Sequence, residues 1–247
     1  MKKRLVILRR TSQVACFAIF ISSFLAALNY TRSLVPPGVL FRFDPLVTVA
    51  TSIAGKFIAP GIFISVLMIA LTLVFGRFFC GWMCPLGAVL DAAAFVIRKK
   101  SERAVSFGVF GRSFKFIVMS VLVLIALAGN SNMLIADPLV IMSNLVTLNL
   151  AIPNLALFAI ALASVILIRR FWCRFLCPLG ALYAIPASVA RLRRVVTKEC
   201  SDSCRACHKK CRMGAIKEDA SYVKSECILC MDCVYDCPEH ATRFRFK

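Results

Sequence analysis

Four stretches of this chain carry no charged side chain: Thr11–Thr31, Phe57–Gly76, Phe116–Ala136 and Pro138–Ile168. A helix needs about 20 apolar residues to cross the hydrocarbon of a bilayer. The first three stretches therefore predict one span each. The fourth is too long for one, and Pro153 divides it into a short apolar piece and a span over roughly 154–170. Composition agrees: 60% of the 247 residues are hydrophobic and 17% charged, against about 45–50% and about 25% in soluble domains. An ordinary soluble enzyme and a disordered chain are both excluded.

The net charge is +19, which in a soluble protein would suggest a nucleic-acid partner. Its distribution says otherwise. Segments 1–10, 77–115 and 169–247 hold 28 of the 31 Lys and Arg residues, and the connections 31–56 and 130–153 hold only Arg32, Arg42 and Lys56. By the positive-inside bias this predicts a multi-pass protein of a bacterial inner membrane, with both termini cytoplasmic, lipid around it and no nucleic acid. The basic N-terminus followed by an apolar run resembles a signal peptide. The run is long and lacks an A-x-A-like site, so it reads as an uncleaved first span.

The chain also repeats. A gap-free shift of 93 residues places Asp44-Pro45-Leu46-Val47 on Asp137-Pro138-Leu139-Val140, Pro60 on Pro153, and Arg77-Phe78 on Arg170-Phe171. It also places Cys80, Cys84, Pro85, Leu86, Gly87 and Ala88 on Cys173, Cys177, Pro178, Leu179, Gly180 and Ala181. Each copy holds two spans, so the copies share one orientation and an axis along the membrane normal. The expected fold is a mostly α membrane protein of four transmembrane helices in two parallel repeats. The membrane domain covers 1–192, with repeats over about 11–97 and 104–192. Each Asp-Pro reads as a helix start, Asp as N-cap and Pro first in the helix; handling of quinol protons is the alternative for these aspartates. The runs 46–55 and 139–152 should be re-entrant or interfacial helices. Segments 85–97 and 178–192 should be short helices at the inner surface, ending near Arg98-Lys99-Lys100 and Arg191, Arg193 and Arg194.

From about residue 193 the chain turns polar, basic and cysteine-dense, and 193–247 reads as a second, cytoplasmic domain that needs metal to hold it. It contains Cys227-x2-Cys230-x2-Cys233-x3-Cys237-Pro238, the bacterial ferredoxin run, and Cys200-x3-Cys204-x2-Cys207-x3-Cys211. The ligand exchange of two-cluster ferredoxins gives two [4Fe–4S] sets. One is Cys200, Cys204, Cys207 and Cys237; the other is Cys211, Cys227, Cys230 and Cys233. Zinc sites normally separate two C-x2-C pairs by a longer gap, and a cytoplasmic tail disfavours disulfides. Cys204–His208 also fits the C-x-x-C-H pattern of attached haem, but both cysteines are needed for the cluster and attachment takes place outside. No haem is expected; His208 and His240 are the only histidines, too few for the paired axial ligands of several membrane haems. Two further pairs, Cys80/Cys84 and Cys173/Cys177, end their spans in C-x3-C-P. Opposed across the axis, they make a four-thiolate site for an additional iron–sulfur cluster, or two redox dithiols. Arg77, Arg98, Arg170 and Arg174 stand near enough in sequence to offset its charge. Cys16 reads as a packing thiol.

Paired C-x3-C-P-L-G-A segments on four spans, followed by a two-cluster tail, resemble the membrane polyferredoxins of the NapH type and the electron-transferring end of the larger NosR proteins. The resemblance covers nearly the whole chain. It implies an electron-transfer subunit, part of a quinol dehydrogenase, that links quinone to other redox proteins. The x3 gap after Cys200 and Arg212 in place of a proline depart from the pattern. Two alternatives stand beside this function: electron supply for maturation or regulation of a metalloenzyme, and a transmembrane dithiol relay. The relay is disfavoured, because both cysteine pairs lie on one face.

Overall fold

The computed structural model describes residues 2–28, 36–55, 61–97, 109–128, 131–148, 151–197, 204, 206–217, 221–238 and 241–246. It is mostly helical. Helix α1 (Lys2–Leu28) is long and apolar enough to cross a membrane. The other apolar helices are shorter: α4 (Ile62–Phe75), α6 (Pro85–Ile97), α7 (Val109–Leu127), α9 (Ile152–Leu167) and α11 (Pro178–Ala187). Apolar side chains such as Phe63, Leu124, Ile152 and Leu167 remain more than half exposed on them. Such outward apolar faces suit a lipid surround.

Between these lie shorter helices: α2 (Pro37–Arg42), α3 (Pro45–Gly55) and α5 (Phe78–Trp82) in the first half, α8 (Pro138–Val146) and α10 (Phe171–Phe175) in the second. The halves interlock. Helix α4 packs on α11 and α6 packs on α9, while α1 covers α5 and α6 as α7 covers α10 and α11. Helix α3 lies along α4, where the Ser65 hydroxyl donates to Thr48 Oγ1 at 2.7 Å; α8 lies along α9.

Both Asp-Pro dipeptides start helices as the spacing predicts. Asp44 Oδ1 accepts from Leu46 N at 2.8 Å and Val47 N at 3.3 Å. Asp137 Oδ1 accepts from Leu139 N at 2.8 Å and Val140 N at 3.4 Å. Both carboxyls are fully buried and stand within hydrogen-bonding reach of each other. The cap predicts a stability order. Asp137→Asn keeps the acceptor and should melt with the parent in detergent; Asp137→Ala should be less stable by about 1 kcal/mol.

Two helix ends differ from the sequence reading. Helix α8 ends at Val146, short of the end of the run 139–152. The segment read as one helix over 178–192 ends at Ala187, where Pro186 and the following turn break it, and Leu192 already belongs to a strand. That strand, β1 (Leu192–Val196), pairs antiparallel with β2 (Thr242–Phe246), Leu192 opposite Phe246 and Val196 opposite Thr242. This two-stranded ladder brackets the cysteine-dense tail, whose helices are the single turns α12 (Ala206–Lys210) and α13 (Asp232–Tyr235).

Candidate metal centre

Cys80, Cys84, Cys173 and Cys177 lie in one buried core with Leu86, Leu179 and Tyr183. The C-x3-C-P segments build it in two steps. Cys80 and Cys173 sit on the single turns α5 and α10. The chain then leaves the helix, so Cys84 and Cys177 stand off it in place of the shared helix face that i, i+4 spacing implies. Cys177 is extended (φ −66°, ψ 116°) and caps α11: its Sγ accepts from Gly180 N at 3.3 Å. Cys84 receives the corresponding bond from Gly87. Cysteine as N-cap, proline next and glycine third is a thiolate-binding helix start, since the exposed N–H groups and the helix dipole both favour negative sulfur.

Two arginines cross between the halves. Arg170 donates to the Cys80 carbonyl at 2.6 Å and the Gly87 carbonyl at 3.2 Å. Arg77 donates to the Cys173 carbonyl at 3.4 Å. A β-carbon at Gly180 would stand 2.6 Å from Arg77 Nη2, and one at Gly87 3.3 Å from Arg170 Nη2. The glycine of each C-P-L-G is thus the space through which the opposite arginine passes. Arg170 takes a left-handed backbone (φ 55°) to make the crossing, a conformation that costs a non-glycine residue energy and recurs at functional sites. Of the other bases foreseen here, Arg174 is buried against the Phe175 ring, and Arg98 lies outside the described residues.

Each crossing arginine meets a different acid. Arg77 pairs with Glu226 at 3.0 Å, and Lys115 from α7 pairs with the same carboxylate. Arg170 grips Asp91 of α6 through two bonds of 2.8 and 2.7 Å. Arg212 also reaches Asp91, at 3.0 Å, and pairs with Asp232. Burial alone would raise the Asp91 carboxyl, but Arg170, Arg212 and Arg9 outweigh it and hold it well below the usual carboxylate range. The sequence reading missed Glu226 and Asp91. Their only signal was an acid next to a cluster cysteine and an acid in an otherwise apolar helix.

Cys211, Cys227, Cys230 and Cys233 line one small pocket with Met213, Ile228 and Phe244. Leu229 and Met231 on either side of Cys230 have positive φ (52° and 62°), which curls the loop around that pocket. Ala215 N donates to Cys211 Sγ at 3.2 Å. Burial pushes the Cys227 thiol up to about 11, so metal binding must displace a proton there. Of the other predicted set, Cys237 is buried, Cys204 and Cys207 are half-buried, and Cys207 Sγ lies 3.4 Å from Thr242 Oγ1. Cys200 lies outside the described residues, as does His240. His208 is half-buried, with Nδ1 2.7 Å from the Ile216 carbonyl. Cys16 is half-buried on α1.

The pocket loop docks on the core. Trp82 Nε1 donates to the Leu229 carbonyl at 3.1 Å and Arg77 to the Ser225 carbonyl at 3.3 Å. A β-carbon at Gly81 would run into the Ile228 carbonyl. Cys227 therefore sits on the segment that carries Cys80. Among the described residues, no three His, Cys, Asp or Glu side chains close to the spacing of ligands around a single metal ion.

One buried set of four thiols, N–H groups aimed at sulfur and crossing cations suit an iron–sulfur protein of the ferredoxin type. A 4Fe-4S binding domain family matches residues 57–103 and again 150–195, and the NosR family matches 198–242. The chain is similar to the NapH-type ferredoxin proteins and to part of NosR. It is 27% identical to the ferredoxin-type protein NapH of Haemophilus influenzae over 98% of this chain and 89% of that one. It is 28% identical to the methylamine utilization ferredoxin-type protein MauN of Paracoccus denitrificans, over 83% of this chain and 75% of that one. The regulatory protein NosR of Pseudomonas aeruginosa is 34% identical over 65% of this chain, which spans only 24% of NosR. No solved structure matches.

Proposed function

We propose that the protein is an inner-membrane electron carrier linking the quinone pool to partner redox proteins. Its unit 1–192 crosses the membrane four times as two parallel repeats, with both termini cytoplasmic, and 193–247 forms a two-cluster ferredoxin-like domain. The paired packing of α4 on α11 and α6 on α9, and the reciprocal Arg77 and Arg170 crossings, support the repeat. Cys200, Cys204, Cys207 and Cys237 would hold one [4Fe–4S] cluster, and Cys211, Cys227, Cys230 and Cys233 a second. Cys80, Cys84, Cys173 and Cys177 would hold a third. Each cluster, when bound, accepts or releases one electron.

The residues around the four core thiols fit such a group. A thiolate-bound [4Fe–4S] cluster carries roughly two negative charges. The ion-pair group of Arg77, Lys115 and Glu226 keeps one net positive charge, and that of Arg170, Arg9, Arg212, Asp91 and Asp232 keeps another. The N–H groups of Gly87 and Gly180 are already directed at sulfur, and hydrogen bonds to sulfur tune the potential.

The observation that carries this reading is the docking of the Cys227 loop on the Cys80 segment. It would join the tail and the core into one row of electron sites. The buried Arg77–Glu226 contact holds the row together, and Trp82 closes it from the side. Quinol added to the purified, anaerobic protein should develop the low-temperature EPR signals of reduced clusters. Signals that appear with dithionite but never with quinol would reject the quinone link. Reporter fusions near residues 40 and 140 should read as periplasmic, and fusions near 105 and at the C-terminus as cytoplasmic.

A second reading has its own support. The NosR family matches the tail over 198–242, which favours supply of electrons for maturation or regulation of a metalloenzyme. A strain lacking the gene that respires normally but accumulates an immature metalloenzyme would select it.

A further inference from the structure

We infer that the cleft between α1, α6 and the tail is the binding site for the head group of a lipid-soluble quinone. This rests on the quinone link proposed above and gives it a location. The cleft encloses about 610 Å³, within the range of about 300–1,000 Å³ typical of small-molecule sites.

The cleft is apolar at one end and polar at the other. Val14 (68% exposed) and Phe95 (72% exposed) stand at the end that faces outward from the apolar helices. At the inner end lies Arg9, only 1% exposed. Its Nε and Nη1 have no hydrogen-bond partner. The carboxylate it faces is Asp91, whose Oδ2 stands 3.7 Å away. That oxygen is already engaged by Arg170 at 2.7 Å, Arg212 at 3.0 Å and Gln13 at 3.2 Å. Buried guanidinium donors without acceptors are costly, so the inner end calls for an oxygen acceptor.

The charges around Arg9 say which acceptor. Asp91, Asp232 and Asp236 line the same cleft as Arg10, Arg169, Lys210 and Arg212, so a phosphate placed at Arg9 would also face carboxylates. A neutral carbonyl oxygen takes the two donors without adding charge. A flat apolar ring bearing that carbonyl fits against Phe17 and Val89, and an apolar tail can leave past Val14 and Phe95.

Position adds a second argument. Asp91 is bonded to Arg170, which is bonded to the Cys80 carbonyl. Arg212 joins Asp91 to Asp232, the neighbour of Cys233. Arg9 lies within electrostatic reach of Cys230. A head group at Arg9 would stand beside Asp91, which is linked through Arg170 to the core and through Arg212 to the tail.

The test is photolabelling of the purified full-length protein with a short-tailed azidoquinone, mapped by mass spectrometry. Labels should fall on cleft residues of α1 or α6 and be displaced by unlabelled quinone. Arg9→Met should weaken displacement by at least about tenfold, the loss expected for a hydrogen bond to a charged group. Ala92→Trp, which fills the cleft without touching a charge, should do the same. Ala92→Trp should keep the parent's iron–sulfur absorption; if Arg9→Met alters that absorption or fails to fold, Ala92→Trp decides. Labels elsewhere, with quinol still reducing the protein, would overturn the cleft and leave the proposed function standing. No displaceable label and no reduction by quinol would overturn both. Displacement by anionic phospholipid vesicles but not by tailless quinone would make the cleft a lipid site and overturn the inference.

Discussion

Replacing Cys84 or Cys177 alone by alanine is expected to remove about a third of the iron from the full-length protein, from about twelve atoms to about eight. Each half of the core supplies two of the four thiols, so either change leaves a shared site one ligand short. The loss should be confined to that site, because Cys211, Cys227, Cys230 and Cys233 line a pocket of their own. Iron analysis and EPR of anaerobically prepared protein measure the effect. The matching result for Cys16→Ala is no loss, since that thiol stands apart on α1. Redox dithiols without metal predict a different outcome: about eight irons in the parent, with Cys80, Cys84, Cys173 and Cys177 all open to alkylation. The family match supports the first outcome, because the two regions it assigns to 4Fe-4S binding are those that carry these cysteines.

Glu226→Ala should destabilise the protein by about 3–5 kcal/mol, the usual consequence of removing one partner from a buried ion pair. Arg77 and Lys115 are both fully buried and share this carboxylate. Without it two cations are left together in a water-poor interior. Thermal unfolding in detergent and limited proteolysis of the tail report the change. Adding Lys115→Met should recover part of the loss, so the double variant is more stable than the two separate losses predict. A decrease below about 1 kcal/mol for Glu226→Ala would place the contact in solvent, against the buried geometry.

Much of the site was legible in the sequence because it lies in spacing. The 93-residue shift pointed to Asp44 and Asp137 as helix caps, and both cap. The ferredoxin runs grouped Cys211 with Cys227, Cys230 and Cys233, and these four line one pocket. Arg77 and Arg170 were visible as aligned bases, but not their exchange between halves. Which carbonyl a long side chain reaches depends on how two copies pack, and no local pattern encodes that. The acids were hidden for the same reason, since Glu226 finds Arg77 across 149 residues. Helix ends were misread where apolar composition continues past a break, as after Ala187, because hydrophobicity reports burial and not backbone conformation.

The facing carboxyls of Asp44 and Asp137 carry an arithmetic of their own. Each spends Oδ1 on its helix, and Oδ2 of each is left without a donor. Two buried carboxylates in contact cannot both stay ionised; a single proton held between them supplies the missing donor to both. The pair then bears one negative charge. Helices α3 and α8 both begin there, and each helix start is worth roughly half a positive charge. One shared hydrogen thus balances the charge of the two helix starts at the junction of the two halves.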